Sequence, residues 1–161
     1  MWRILILKRD LLFIKMSKRK DISAALLGIA VAVILWVTVL GRESYIENSL
    51  MFDPFHAFYS FVKDVQDGRI RITGNFIGNI ILFIPIGVLF PLTGDEHKCV
   101  KTGFIALCFS IIIEIIQLVS HRGYFEIDDL ILNTLGAVMG YGIYRVAMML
   151  FTKNDLNASS N

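Results

Sequence analysis

Four long apolar runs separated by shorter polar stretches set the pattern of this chain. Ile22 to Gly41 is uncharged over about 20 residues, the length a helix needs to cross the hydrocarbon of a bilayer. Ile72 to Gly94 is also uncharged. Thr102 to Ser120 contains one charge, Glu114, and Leu130 to Phe151 contains one, Arg145. Each run predicts a spanning helix, because lipid leaves backbone amides no partner except within the segment itself. Lys18-Arg19-Lys20 stands immediately before the first run, and Lys98 and Lys101 lie between the second and third. The positive-inside rule then puts both termini in the cytoplasm and Arg42 outside, with Arg145 snorkelling at the inner end of the last helix.

The polar stretches carry patterns of their own. In the first, Ile4, Leu7, Leu11 and Ile14 fall on one helical face and Lys8, Arg9 and Lys15 fall off it. This predicts a basic amphipathic helix over residues 1–21, lying on the inner membrane surface and held by anionic lipid. The alternative is that translation starts at Met16. A cleaved secretory signal is not expected, since no small-residue cleavage pattern ends the long run. Arg42 to Arg71 is the longest loop and faces outward. Asp53-Pro54 favours a turn there, and Phe55, Phe58, Val62 and Val65 recur at helical spacing, predicting a short amphipathic helix at the outer interface. Phe52, Phe55, Tyr59 and Phe61 suit an interfacial aromatic belt. Pro85 lies inside the second run and predicts a kink near residues 81–85. After Thr152 the tail, residues 152–161, is polar and is expected to be disordered.

Composition agrees. Hydrophobic residues make up 55% of the 161 positions, well above the soluble norm. The expectation is an all-α, integral membrane four-helix bundle, N-in and C-in, over residues 22–151, with short interfacial amphipathic helices. Cys99 and Cys108 match no zinc or redox spacing, and His56, His97 and His121 are scattered. No phosphate loop, G-x-S-x-G or H-E-x-x-H occurs, so no cofactor or metal is expected. The basic residues do not alternate with aromatics on a soluble surface, so nucleic acid is not an expected partner.

The polar residues inside the runs carry the candidate chemistry. Ser110, Glu114 and Gln117 lie at i, i+4 and i+7, on one face of the third helix. A carboxylate in mid-membrane is costly and faces a protein interior or a polar cavity. Asn79 lies in the outer half of the second helix, and Asp129 and Asn133 in the first turns of the fourth. At 1.5 Å rise per residue, Glu114 sits roughly 9 Å below the outer end of its helix and Asn133 roughly 6 Å below its own. These residues are therefore expected to meet in a polar notch near the outer face. Asp129, Asn133, Gly136 and Gly140 form a stripe at i, i+4, i+7 and i+11 that becomes small inward and admits a close neighbour. Gly74 and Gly78 form a second G-x-x-x-G, a weaker signal. Each polar residue also has a plainer reading. Asp128 and Asp129 cap the fourth helix, Asn133 and Gln117 bond helix to helix, and Arg122 pairs with Glu126 in the loop.

The order of these residues resembles the VanZ-like family, named for an accessory protein of glycopeptide resistance. The matching elements are Pro54-Phe55, Asn79 before Phe83-Ile84-Pro85-Ile86-Gly87, and Ser110-x-x-x-Glu114-x-x-Gln117. They continue with Arg122, Glu126-x-x-Asp129 and Asn133-Thr134-x-Gly136. Glu126 stands where the family pattern has aspartate. The resemblance implies a multi-pass protein of the bacterial cell membrane, associated with resistance to teicoplanin and similar lipoglycopeptides. It brings no catalytic residues. The expected function is a non-enzymatic envelope factor whose polar cluster (Arg42, Asn79, Glu114, Gln117, Arg122, Glu126, Asp129 and Asn133) meets a lipoglycopeptide or a lipid-linked cell-wall precursor at the bilayer surface. The alternatives are an integral-membrane enzyme acting on an envelope lipid, with Glu114 and Asp129 or Glu126 as acid and base, and a subunit of a larger membrane complex. In the last case Gly136, Gly140 and the Pro85 region shape the packing against a second copy or a membrane partner.

Overall fold

The computed structural model describes residues 2–41, 50–51, 56–67, 75–94, 98–122 and 125–159. Helix α1 (Trp2–Leu35) continues into a π-helical turn (Trp36–Leu40). Next come β1 (Leu50–Met51), α2 (His56–Gln66) and α3 (Asn75–Leu89), the last ending in a 3-10 turn (Phe90–Thr93). Helix α4 (Cys99–Val119), β2 (Phe125–Glu126) and α5 (Ile127–Ser159) complete the chain. Among the described residues four helical stretches, Lys18–Leu40, Phe76–Thr93, Cys99–Val119 and Ile127–Phe151, are long and apolar enough to cross a membrane. They coincide with the four apolar runs.

Burial is inverted relative to a water-soluble protein. Large apolar side chains such as Ile22, Ile29, Trp36, Phe104, Val119 and Val146 are exposed, whereas Asn79, Thr102, Ser110, Glu114, Gln117, Asp128, Asp129 and Asn133 are buried. In water this arrangement would leave a large apolar surface unsatisfied. In lipid it is the low-energy one, because tails solvate Ile and Leu while polar groups find partners only inside the protein.

Helix α5 is the hub and packs against both α3 and α4, while α1 packs on α3 and its 3-10 turn. The α3–α5 crossing is made by glycines. A Cβ on Gly136 would stand 2.2 Å from the Ile80 carbonyl oxygen, one on Gly140 2.2 Å from that of Ile84, and one on Gly87 1.9 Å from that of Ala137. Backbone therefore lies directly on backbone. The stripe expected on the fourth helix is thus a packing face against the second. A Cβ added to Gly78, by contrast, would meet nothing within 4 Å, so the weaker G-x-x-x-G makes no such contact at that residue; its partner Gly74 lies outside the described residues. Beside the crossing, Phe83, Ile86, Ala106, Ile113, Ala137 and Ile34 form the apolar core.

Helix α2 is the expected amphipathic segment. Its Phe61 stacks on Phe76 at 5.0 Å between ring centroids, and Phe58 lies 5.8 Å from the same ring, so α2 covers the N-terminal end of α3. Three local features differ from the expectations. Helix α1 has no break between the basic segment and the first span. Residues 14–24 contain neither Gly nor Pro, and Lys, Arg, Met and Ala all favour helix, so nothing stops propagation. Helix α5 likewise runs on through the polar tail to Ser159, which again lacks Gly and Pro. Leu50–Met51 and Phe125–Glu126 form a short parallel pairing that joins the long loop to the start of α5. Pro85 sits inside α3 without ending it. The turn at Asp53-Pro54 lies outside the described residues.

Candidate functional site

The polar residues converge at one end of the bundle, opposite the end that carries Lys18, Arg19 and Lys20. The stripe on α4 is regular. Thr102, Ala106, Ser110, Ile113, Glu114 and Gln117 are all buried, at the 3.6-residue period of one helix face. Ser110 Oγ accepts a hydrogen bond from Asn133 Nδ2 at 2.8 Å, tying α4 to α5. One turn further on, Glu114 Oε2 accepts from the backbone N–H of Glu126 at 3.0 Å, which holds the β2 segment against α4. Because this bond uses the main chain of residue 126, aspartate there would make it equally well. Glu114 is 1% exposed, so its charge-bearing oxygens are wholly inside the protein.

Helix α3 joins through Asn79, whose Nδ2 donates to Asp129 Oδ1. Asp128 and Asp129 lie in the first turn of α5, where a negative charge meets the positive end of the helix dipole. Asp129 thus combines that favourable position with its bond to Asn79.

Helix α1 enters through its C-terminal carbonyls. The π-helical turn closes with Gly41 N–H on the Trp36 carbonyl, and the last carbonyls of a helix take their donors from outside it. Gln117 Nε2 donates to Thr38 O at 2.8 Å, and Arg122 Nη1 donates to Val39 O at 3.3 Å and Leu40 O at 3.1 Å. A cation at a helix C-terminus also suits the dipole. Arg122 is thus bound to main-chain oxygens of α1 and not to Glu126, its expected loop partner.

What aims Arg122 is the way α4 ends. His121 adopts φ 54°, the left-handed region, with its N–H on Leu118 O at 3.4 Å; Arg122 N–H bonds Gln117 O at 3.0 Å. This pair of bonds is a Schellman motif, with histidine at the position usually held by glycine. With no glycine to mark it, the motif carries no signature in the sequence.

Within this cluster Gln117 Oε1 and Asn133 Oδ1 are buried without a hydrogen-bond donor among the described residues. The cluster therefore keeps acceptor capacity of its own. Beside it, an apolar groove of about 400 Å³ between α4 and α5 is lined by Leu107, Leu130, Ile131, Thr134, Leu135 and Val138. Among the described residues no three His, Cys, Asp or Glu side chains come together as a metal-binding set. Of the predicted cluster, Asn79, Glu114, Gln117, Arg122, Glu126, Asp129 and Asn133 come together as described; Arg42 lies outside the described residues. Thr38 and Gly87 belong to the assembly without a polar or packing signal of their own in the sequence. Thr38 contributes a carbonyl, which no side-chain motif announces, and Gly87 follows Pro85 in a run that reads as a kink.

No solved structure matches the chain. A curated relative, Protein VanZ of Enterococcus faecium, is 30% identical over 135 residues, covering 78% of this chain and 74% of that protein. The family model described as VanZ/LLP1 matches residues 21–150, from the first spanning run to the end of the last. That stretch includes every residue of the polar cluster, and the chain belongs to the VanZ/LLP1 family.

Proposed function

We propose that this chain is a non-enzymatic factor of a bacterial cell membrane that contributes to tolerance of teicoplanin and similar lipoglycopeptides. The observation that carries the reading is the convergence of Asn79, Ser110, Glu114, Gln117, Arg122, Asp129 and Asn133 at one end of the bundle. Their bonds fix the ends of α1, α3 and α5 and the β2 segment in one shape. By the positive-inside rule this end faces outward. The surface so shaped meets an amphiphile: the sugar and acyl chain of the drug, or a lipid-linked cell-wall precursor. The groove between α4 and α5 suits an acyl chain. Arg122 acts by holding α1, and Arg42 is left as the cation for a phosphate or carboxylate. A binding role also fits the surroundings of Ser110. Its hydroxyl is engaged by an amide, which does not accept a proton as a catalytic base would.

The test is drug susceptibility in a sensitive Gram-positive host carrying vector, wild type, Glu114→Ala, Glu114→Gln or Asp129→Ala at matched membrane levels. Wild type should raise the inhibitory concentration of teicoplanin more than that of vancomycin, and the alanine variants should lose the effect. Full protection by Glu114→Ala and Asp129→Ala would refute the role of the cluster. Wild type without any effect on teicoplanin would refute the resistance function itself.

A further inference from the structure

At the opposite end of the bundle α1, the 3-10 turn and α5 enclose a second cavity of about 210 Å³. It is lined by Arg19, Lys20, Pro91, Leu92, Gly94, Tyr144 and Met148. Two cations and a phenol thus face a floor of Pro91, Leu92 and Met148. Arg19 Nη2 lies 3.9 Å from Met148 Sδ, so the exposed guanidinium reaches across to α5 at the mouth of the cleft.

We propose that this cleft binds the phosphate head group of an anionic phospholipid. Three observations lead there. The lining concentrates positive charge, and its guanidinium, ammonium and phenol supply the donors a phosphodiester accepts. The depth is that of a head group, since the span beginning at Lys18 starts beside the cleft and the span ending at Thr93 ends there. The approach is lipidic as well. Arg19, Ile22 and Leu26 lie at i, i+3 and i+7 on one face of α1, and Ile22 and Leu26 are exposed. A phosphate on Arg19 therefore places its acyl chains along Ile22 and Leu26, which no soluble phosphate would use. Basic clefts between spanning helices are a recurrent way of reading anionic head groups.

The experiment uses the purified full-length chain in uncharged detergent, with bound lipid measured by native mass spectrometry. The probes are phosphatidylglycerol and phosphatidylcholine of equal chain length, with inorganic phosphate and glycerol phosphate as soluble competitors. Wild type should prefer phosphatidylglycerol by about thirtyfold, the scale expected for two cations at a membrane surface. Arg19→Gln/Lys20→Gln should abolish the preference. Lys98→Gln/Lys101→Gln, which removes as much charge from the same end outside the cleft, should keep it. Leu92→Trp fills the cleft with both cations intact and should also lower phosphatidylglycerol binding, which decides the matter if the double variant does not extract in folded form. An unchanged preference in either cleft variant overturns the proposal, as does equal loss in the Lys98/Lys101 control. Displacement of the lipid by inorganic phosphate at matched concentration would make this a phosphate site and overturn the lipid assignment.

Discussion

Substituting Gly87 by alanine tests the backbone-on-backbone crossing of α3 and α5. An added Cβ would lie 1.9 Å from the Ala137 carbonyl oxygen and 2.8 Å from both Ala137 C and Tyr141 N. None of these atoms is a flexible side-chain end, so relief requires the two helices to separate by about 1.5 Å or more, the difference from ordinary van der Waals contact. Overpacking of this kind costs about 1–3 kcal/mol, and the three backbone clashes put Gly87→Ala at about 3 kcal/mol. Separation also stretches the Asn79–Asp129 bond, which spans the same two helices. The matched control is Gly142→Ala on α5, where a Cβ would meet nothing within 4 Å. There alanine should be neutral or stabilise by up to about 1 kcal/mol, through lost backbone freedom in the unfolded chain. The assay is reversible unfolding in mixed micelles, followed by circular dichroism, with Gly136→Ala and Gly140→Ala expected to track Gly87→Ala. Equal stability of Gly87→Ala and Gly142→Ala would refute the close crossing.

Other consequences follow from the cluster. His121→Gly removes a side chain from a left-handed backbone position and should raise stability by about 1 kcal/mol in the same assay; a loss of stability would show that the imidazole has a role of its own. Arg122→Gln uncovers the Val39 and Leu40 carbonyls and should cost about 1 kcal/mol, with the difference from wild type shrinking in high salt; a salt-independent effect would speak against a charge-assisted cap. Asn79→Ala and Asp129→Ala each break the bond between α3 and α5, and a double-mutant cycle should return a coupling of about 1 kcal/mol or more. Strict additivity would mean that the two side chains do not interact.

Much of the site was legible in the sequence because of period and cost. Ser110, Glu114 and Gln117 recur at helical spacing inside a run where polar groups are expensive, so a common buried face was the economical arrangement. Gly136 and Gly140 continued the stripe begun by Asp129 and Asn133, and small residues in that register signal close approach. What the pattern hid lies in the main chain. Three of the acceptors are carbonyls of the α1 terminus, and one donor is the amide of Glu126. Every residue owns such groups, so no residue type marks them.

The sequence by itself determined the membrane-spanning class, the number of spans and the set of polar residues that share faces. Those properties follow from the free energy of moving side chains into hydrocarbon, which acts residue by residue along each helix. Which faces meet was left to the tertiary structure: α5 against α3 through Gly87, Gly136 and Gly140, Arg122 on the end of α1 instead of on Glu126, and a cleft lined by Arg19 and Tyr144. Partner choice depends on the distances between helices far apart in the chain, and local periodicity is silent about those.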